Sequence, residues 1–262
     1  MGQRSPVQSF KLDVSKMLTV ADLIHSELAP LQDISQALTM GQRKVRCLRE
    51  WGCMANILKG SRSTTELYPY IKRLRSTNKW LQVLQLVHYW LCRNNPILSY
   101  VAHGYAGQEK FTVEELNRNL VERDVLSGIS EKNIRKALNV TLNSLTDPKG
   151  LGDLGLVQRI TQGSTRYEVH SQPPEPLVAA YIIYTNWPPN TAKVAINEIV
   201  SGRNSLGRIF FLDETQVMTL LRDLEARGFV KIETVASLNQ IGINPKLTPH
   251  DFLDMLINEA RQ

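Results

Sequence analysis

The sequence predicts a mainly α-helical protein with small β-hairpins, arranged as tandem helix-turn-helix and winged-helix modules. Three observations predict it. Apolar residues recur at helical spacing between recognisable caps along much of the chain. Two short β-prone runs, residues 154–160 and 166–169, flank the turn Thr161-Gln162-Gly163-Ser164-Thr165. Between Asp33 and Trp51, a short apolar helix, a turn at Gly41 and a helix bearing Arg43, Lys44, Arg46 and Arg49 follow in helix-turn-helix order.

The first module is expected over residues 1–78. Leu18, Val20, Leu23, Ile24 and Leu28 mark a supporting first helix that Pro30 stops. Trp51 follows Leu48 at helical spacing and reads as a core residue. Beyond it come Ile57 and Leu58, a polar turn over 60–65 and a helix over 66–75, and Lys72, Arg73, Arg75 and Lys79 continue a basic face.

The second module is expected over residues 79–170. It opens on a core helix whose stripe is Leu81, Leu84, Val87 and Leu91. Thr112 and Glu115 have capping-box spacing before Leu116 and Leu120. Ser130 caps the next helix, with Ile134, Leu138, Leu142 and Leu145 on its apolar face, and the hairpin then places Arg159 and Arg166 at its tip, suited to phosphates. Helix, helix, hairpin is the order of a winged helix.

The third module, residues 171–262, begins with a stiff proline-rich linker over 172–176. Helices are expected over 177–184, 194–200 and 214–226, with strands over 208–212 and 229–235. Thr248 as N-cap and Pro249 at the first helical position start a final amphipathic helix.

Charge separates the modules. Residues 1–80 hold 13 Lys or Arg against 6 Asp or Glu, residues 81–170 hold 10 against 9, and residues 171–262 hold 8 against 10. The net charge of +6 is therefore concentrated in the first third. A basic helix that neutralises phosphates releases counterions, so a localised surplus points to duplex DNA as partner. The candidate DNA-binding residues are Arg43, Lys44, Arg46, Arg49, Lys72, Arg73, Arg75, Arg159 and Arg166. Lack of an apolar run of roughly 20 residues excludes a membrane span, and a start without a signal-peptide stretch leads to an expected cytoplasmic location.

Chemistry is harder to find. Cys47, Cys53 and Cys92 have no metal-ligand spacing and read as small apolar-context thiols; His25, His88, His103, His170 and His250 are scattered. The acidic pairs Glu114-Glu115, Glu122 with Asp124, and Asp213-Glu214 are explained as helix-terminal or solvated charges. His103-Gly104-Tyr105, expected in a loop near Tyr100, offers a general base or a tyrosine nucleophile, against a plainer role in closing the core. Isolated turn glycines form no phosphate cradle, so no cofactor site and no metal site is expected, and no catalytic residue is assigned.

Several stretches resemble a bacterial family known as a domain of unknown function, number four thousand and seven. They are residues 38–51 with Met40-Gly41-Gln42-Arg43, residues 86–90, residues 111–116, residues 207–214, residues 220–224 and residues 233–238. Where the family pattern has a His-Glu pair before Ser-Phe, this chain has Val7-Gln8 before Ser9-Phe10. The family occurs beside genes for DNA phosphorothioation, and the resemblance implies a protein that binds duplex DNA and nicks one strand for sulfur incorporation. It also implies Mg²⁺ or Mn²⁺ for such a nickase, and a cysteine desulfurase, an ATPase and a PAPS-reductase-like sulfurtransferase as partners. Two other classes fit the residues: a transcriptional regulator, a homodimer if its target is palindromic, and a non-catalytic scaffold that docks modification enzymes on DNA.

Overall fold

A computed structural model describes residues 10–26, 30–60, 62–105, 109–162, 164–235 and 238–259. It is mainly helical, with small antiparallel sheets. The first third holds α1 (Val14–His25), α2 (Leu31–Ala37), α3 (Gln42–Met54), a two-stranded ribbon of β1 (Leu58–Lys59) and β2 (Ser63–Thr64), and α4 (Tyr68–Ser76). Asp13 caps α1 by accepting from the Lys16 N–H at 3.0 Å, and the apolar faces of α1 and α3 close around Met17, Val20, Val45, Leu48 and Trp51. Trp51 is fully buried, as its spacing predicts, and its indole N–H donates to the Phe10 carbonyl at 3.1 Å.

The middle third runs α5 (Trp80–Asn94), α6 (Pro96–Gly104), β3 (Lys110–Phe111), α7 (Val113–Glu122), α8 (Glu131–Thr146), a 3₁₀ turn, then β4 (Val157–Gln162) and β5 (Ser164–Val169), with sheet order β3-β5-β4. The last third runs α9 (Pro176–Thr185), β6 (Lys193–Ala195), α10 (Ile196–Ser201), α11 (Leu206–Ile209), α12 (Glu214–Ala226), β7 (Val230–Val235), β8 (Leu238–Ile243) and α13 (Pro249–Asn258), with sheet order β6-β8-β7. Both sheets thus place a lone strand before two or more helices and pair it with the second strand of the hairpin that follows them. The buried apolar side chains of all three stretches form one continuous cluster.

Thr112 and Glu115 make the expected capping box, with Thr112 Oγ1 accepting from the Glu115 N–H at 3.1 Å and the Glu115 carboxylate accepting from the Thr112 N–H at 2.7 Å. At α13 the Asp251 carboxylate accepts from the Thr248 N–H at 2.6 Å. Ser130 occupies the N-cap of α8 without a side-chain capping bond.

Five expectations need correction. The apolar run 208–212 is no strand: Ser205 Oγ caps α11 by accepting from the Arg208 N–H at 3.2 Å, and Gly207 lies so close to Val200 that a Cβ would sit 2.2 Å from its carbonyl oxygen. The run is apolar because Ile209, Phe210, Phe211 and Leu212 fill a buried turn. Residues 194–200 divide between β6 and α10. His103-Gly104 is the end of α6, a helix started by Asn95, whose side chain accepts from the Ile97 and Leu98 N–H groups, and by Pro96 after it. Leu81 is 47% exposed while Leu84, Val87 and Leu91 are buried, so the α5 stripe starts a turn later. The proline-rich stretch is pinned: the Gln172 N–H donates to Phe210 O at 3.2 Å and the Glu175 N–H to Gln85 Oε1 at 3.2 Å. The ribbon and β3 are two-residue strands that leave no periodicity to read, and β8 is a six-residue strand that the sequence reading also missed. Leu28, Val7, Gln8 and Ser9 fall outside the described residues.

His88 on α5 is enclosed, its Nε2 2.9 Å from the Ile209 carbonyl to which it donates, and burial pushes its pKa down to about 4 against an ordinary 6.5. The unfolded chain therefore takes up a proton that the folded chain refuses. Stability from this group is intact above pH 6.5 and is lost as pH falls toward 4, by on the order of 2–3 kcal/mol. Urea titrations should show a smaller acid-side loss in His88→Gln, which keeps a donor for Ile209, than in the parent. Equal losses in both would exclude His88 as the source.

Candidate nucleic-acid interface

The turn between α2 and α3 is built by backbone geometry. Thr39 takes a left-handed conformation (φ 50°), the Met40 N–H donates to Ser35 O at 3.0 Å, and the exposed Gly41 starts α3. Ile34 of α2 and Val45 of α3 are both fully buried, which fixes the crossing of the two helices. With Val45, Cys47, Leu48, Trp51 and Gly52 turned inward, the opposite side of α3 carries Arg43, Arg46 and Arg49 at three-residue intervals, one row along a helix. Lys44 stands off that row and is half-buried, and Glu50 is the acid on the same helix.

The ribbon extends this surface. Gly52 lets it approach, since a Cβ there would meet Leu58 Cδ1 at 2.9 Å, and the Cys53 thiol donates to the Gly60 carbonyl at 3.1 Å. Lys59 and Arg62 are exposed beside the end of the row. Burial lowers the pKa of the half-buried Arg49 guanidinium; nearby Arg62 adds to this and Cys53 opposes it. Sequence reasoning missed Lys59 and Arg62. The available signal was Gly60, a turn glycine (φ 70°) two residues after the buried Leu58.

The other predicted residues are dispersed. Arg75 donates to Asp22 Oδ2 at 2.7 Å, and Asp22 also accepts from the Tyr68 hydroxyl at 2.5 Å, so Arg75 ties α4 to α1. The exposed Arg73 lines a shallow groove between α4 and α13 with Tyr70 and His250, and the exposed Lys72 lies on the same helix. Arg159 faces Tyr167 across the hairpin and Arg166 faces Ile160, so strand alternation sends the two arginines to opposite faces, and neither is at the tip. Two of the acidic pairs contribute to structure: Glu115 caps α7, Glu114 Oε1 accepts from Arg135 at 2.6 Å, and Asp213 caps α12; Glu122 and Asp124 are exposed. Cys47 and Cys92 are buried and Cys53 is half-buried.

A cleft of about 660 Å³ between the segment after β5 and the α10–α12 stretch is lined by Tyr105, His170, Arg208, Phe211 and Asp213. Phe211 is buried there in a left-handed conformation (φ 54°), held by the Ser171 hydroxyl donating to its carbonyl at 2.5 Å. No group of three or more His, Cys, Asp or Glu residues able to hold a metal converges among the described residues.

Fold and surface define a class: a mainly helical protein with small antiparallel sheets that exposes a basic helix behind a tight turn. The chain belongs to the family described as protein of unknown function, DUF4007, whose model matches residues 14–257. The chain shares its fold with a magnesium-ion-bound crystal structure of SspB, at a TM-score of 0.78 and 16% identity over 97% of this chain and 87% of that one. A second SspB crystal structure matches at 0.75 and 17% identity over 95% of this chain and 85% of that one. No curated protein matches the chain. No helix among the described residues is long and apolar enough to cross a membrane.

The contrast between Arg75 and Arg46 is testable. Arg75→Ala is expected to lower folding stability by about 1 kcal/mol, since it leaves the half-buried Asp22 carboxylate without its cation. Arg46→Ala is expected to stay within about 0.5 kcal/mol of the parent. Thermal denaturation of both variants decides it, and a neutral Arg75→Ala would remove the structural role.

Proposed function

We propose that the protein binds duplex DNA through α3 and the β1–β2 ribbon as a component of a bacterial DNA phosphorothioation system. One observation carries the reading: the row Arg43, Arg46 and Arg49 on the solvent side of a helix whose inward side is locked by Val45, Leu48 and Trp51. Such a helix approaches a duplex without repacking, so its charges meet phosphates and base edges at little entropic cost. The shared SspB fold supports the system assignment. We further read the two strand-helix-helix-hairpin blocks, residues 79–170 and 171–262, as winged-helix modules behind a first module over 1–78, because their sheet orders β3-β5-β4 and β6-β8-β7 are equivalent.

Within that system the role proposed is the opening of one DNA strand for sulfur incorporation, alongside a cysteine desulfurase, an ATPase and a PAPS-reductase-like sulfurtransferase. One of the two SspB structures is bound to a magnesium ion. The described residues of this chain offer no three-ligand cage, so no step is assigned to a metal.

Two measurements test the proposal. Supercoiled plasmid incubated with the protein, with and without Mg²⁺ or Mn²⁺, should yield open-circular product; retarded plasmid that stays supercoiled would leave a regulator or a docking scaffold in its place. Replacing Arg43, Lys44, Arg46 and Arg49 with Ala should lower the log-log salt slope of duplex binding by about 0.9 for each phosphate no longer neutralised. An unchanged slope would remove α3 as the DNA-binding element.

A further inference from the structure

A second basic surface lies where α5, α6, the turn after α7 and the turn after α10 meet. There a groove of about 470 Å³ is lined by Arg93, Tyr100, His103 and Arg203, with no carboxylate among its lining residues. A third arginine borders it: the Arg123 guanidinium stands 5.8 Å from the centre of the Tyr100 ring. The three arginines come from three separate elements, and none makes an ion pair among the described residues. On other parts of the molecule Lys11, Arg75, Arg135, Lys193 and Arg227 have acidic partners.

The groove is held in shape by hydrogen bonds with few other tasks. His103 Nδ1 donates to Ser99 O at 2.6 Å, and its Nε2 accepts from the Asn204 N–H at 3.3 Å, which fixes the turn bearing Arg203 against α6. Asn186 holds the same turn from the other side, its amide donating to Asn204 O at 3.0 Å while its Oδ1 accepts from Arg93 at 2.5 Å. The Tyr89 hydroxyl accepts from Arg93 at 3.0 Å. The groove also adjoins the basic helix: Asn94 lines it and donates to Met54 O, at the end of α3, at 2.8 Å.

We infer that this groove takes phosphates of the DNA backbone beside the segment that α3 reads, an inference that rests on the DNA-binding role proposed above. Planar guanidiniums flanking a half-buried aromatic and lacking carboxylates suit an anionic strand with spaced charges. The position at the end of α3 favours nucleic acid over an acidic protein surface. A helix of 13 residues is about 20 Å long, the rise of roughly six base pairs, and the groove lies at its C-terminal end.

The test is Arg123→Ala with Arg203→Ala, two exposed side chains outside the Asn186 and His103 tethers. The expected result is a salt slope for a 20-base-pair duplex lower by about 1.8, two phosphates at about 0.9 each, with the α3 quadruple variant adding its own decrease. Arg123→Lys with Arg203→Lys should restore the slope and thereby exclude misfolding. An unchanged slope in the alanine pair, with the parent binding duplex normally, would overturn the groove and leave α3 intact as the DNA-binding element. Loss of binding to polyglutamate in the same pair, with duplex binding unchanged, would reassign the groove to an acidic protein. A parent that binds no duplex at all would remove both proposals together.

Discussion

The packing of α5 against α9 is the constraint on which the remaining structure depends. Every residue of α9 from Leu177 to Tyr184 is buried, so this helix has no face for water and exists only inside its neighbours. A helix apolar on all sides gains little from its own periodicity and must be enclosed. α13, α12, α5 and α11 enclose it, and α5 in turn carries α3, α4 and α6. Polar ties sharpen the fit: Gln85 to the Glu175 N–H, Trp90 to the Tyr181 hydroxyl at 3.2 Å and Tyr89 to Asn186 at 3.0 Å, while His88 ties α5 to α11 at Ile209. A buried donor or acceptor left unmade costs about 1–3 kcal/mol, so a slip of one helix turn along this seam would break several such bonds at once. The seam therefore fixes register as well as contact.

From that hub the charged surfaces are spokes whose spacing is set. The chain ahead of α1 is stitched to the far end of α8, with the Leu12 N–H donating to Ser144 Oγ at 2.8 Å and the Val14 N–H to Lys149 O at 2.8 Å. The Phe10 carbonyl at the same segment takes the Trp51 indole N–H. One short stretch thus couples the basic helix α3 to α8. The surplus charge stays at the rim because the core admits few charged groups, and the deeply enclosed His88 and Cys92 are driven by burial toward their neutral forms. Electrostatics in this protein is a surface property placed by apolar packing.

Much of this was legible in the sequence, and the divisions follow from physics. The caps at Thr112, Asp213 and Thr248, and the row of arginines after Gly41, are local signals whose effect is complete within one helix turn. The run 208–212 misled because five apolar residues read alike as strand or as buried turn, and only the approach of Val200 to Gly207, seven residues earlier in the chain, decides between them. The three-residue strand β6 and the two-residue strands β1, β2 and β3 carry no alternation long enough to detect; each exists through a partner distant or adjacent in sequence. For the basic surface, the row on α3 could be read, whereas the separation of Arg159 from Arg166 depended on register, and the pairing of Arg75 depended on Asp22, 53 residues away. Lone charges look equivalent in a sequence, and tertiary contact sorts those that hold the fold from those that face outward.

Phe211 shows how firmly the spacing is held. A bulky residue at positive φ costs on the order of 1–3 kcal/mol and persists only where its surroundings over-determine it. Here Ser171 and Gln172 engage the carbonyls of Phe211 and Phe210, and the ring is buried. Relaxing the strain would release the chain at residues 171 and 172, immediately before the helix that α5 encloses, and the gain would be offset by breaking the Gln85 and His88 ties nearby. Strain at this junction is thus balanced against the seam rather than stored for motion. For the proposed DNA-binding role such a junction would matter, because a flexible one would add an ordering cost to each phosphate contact.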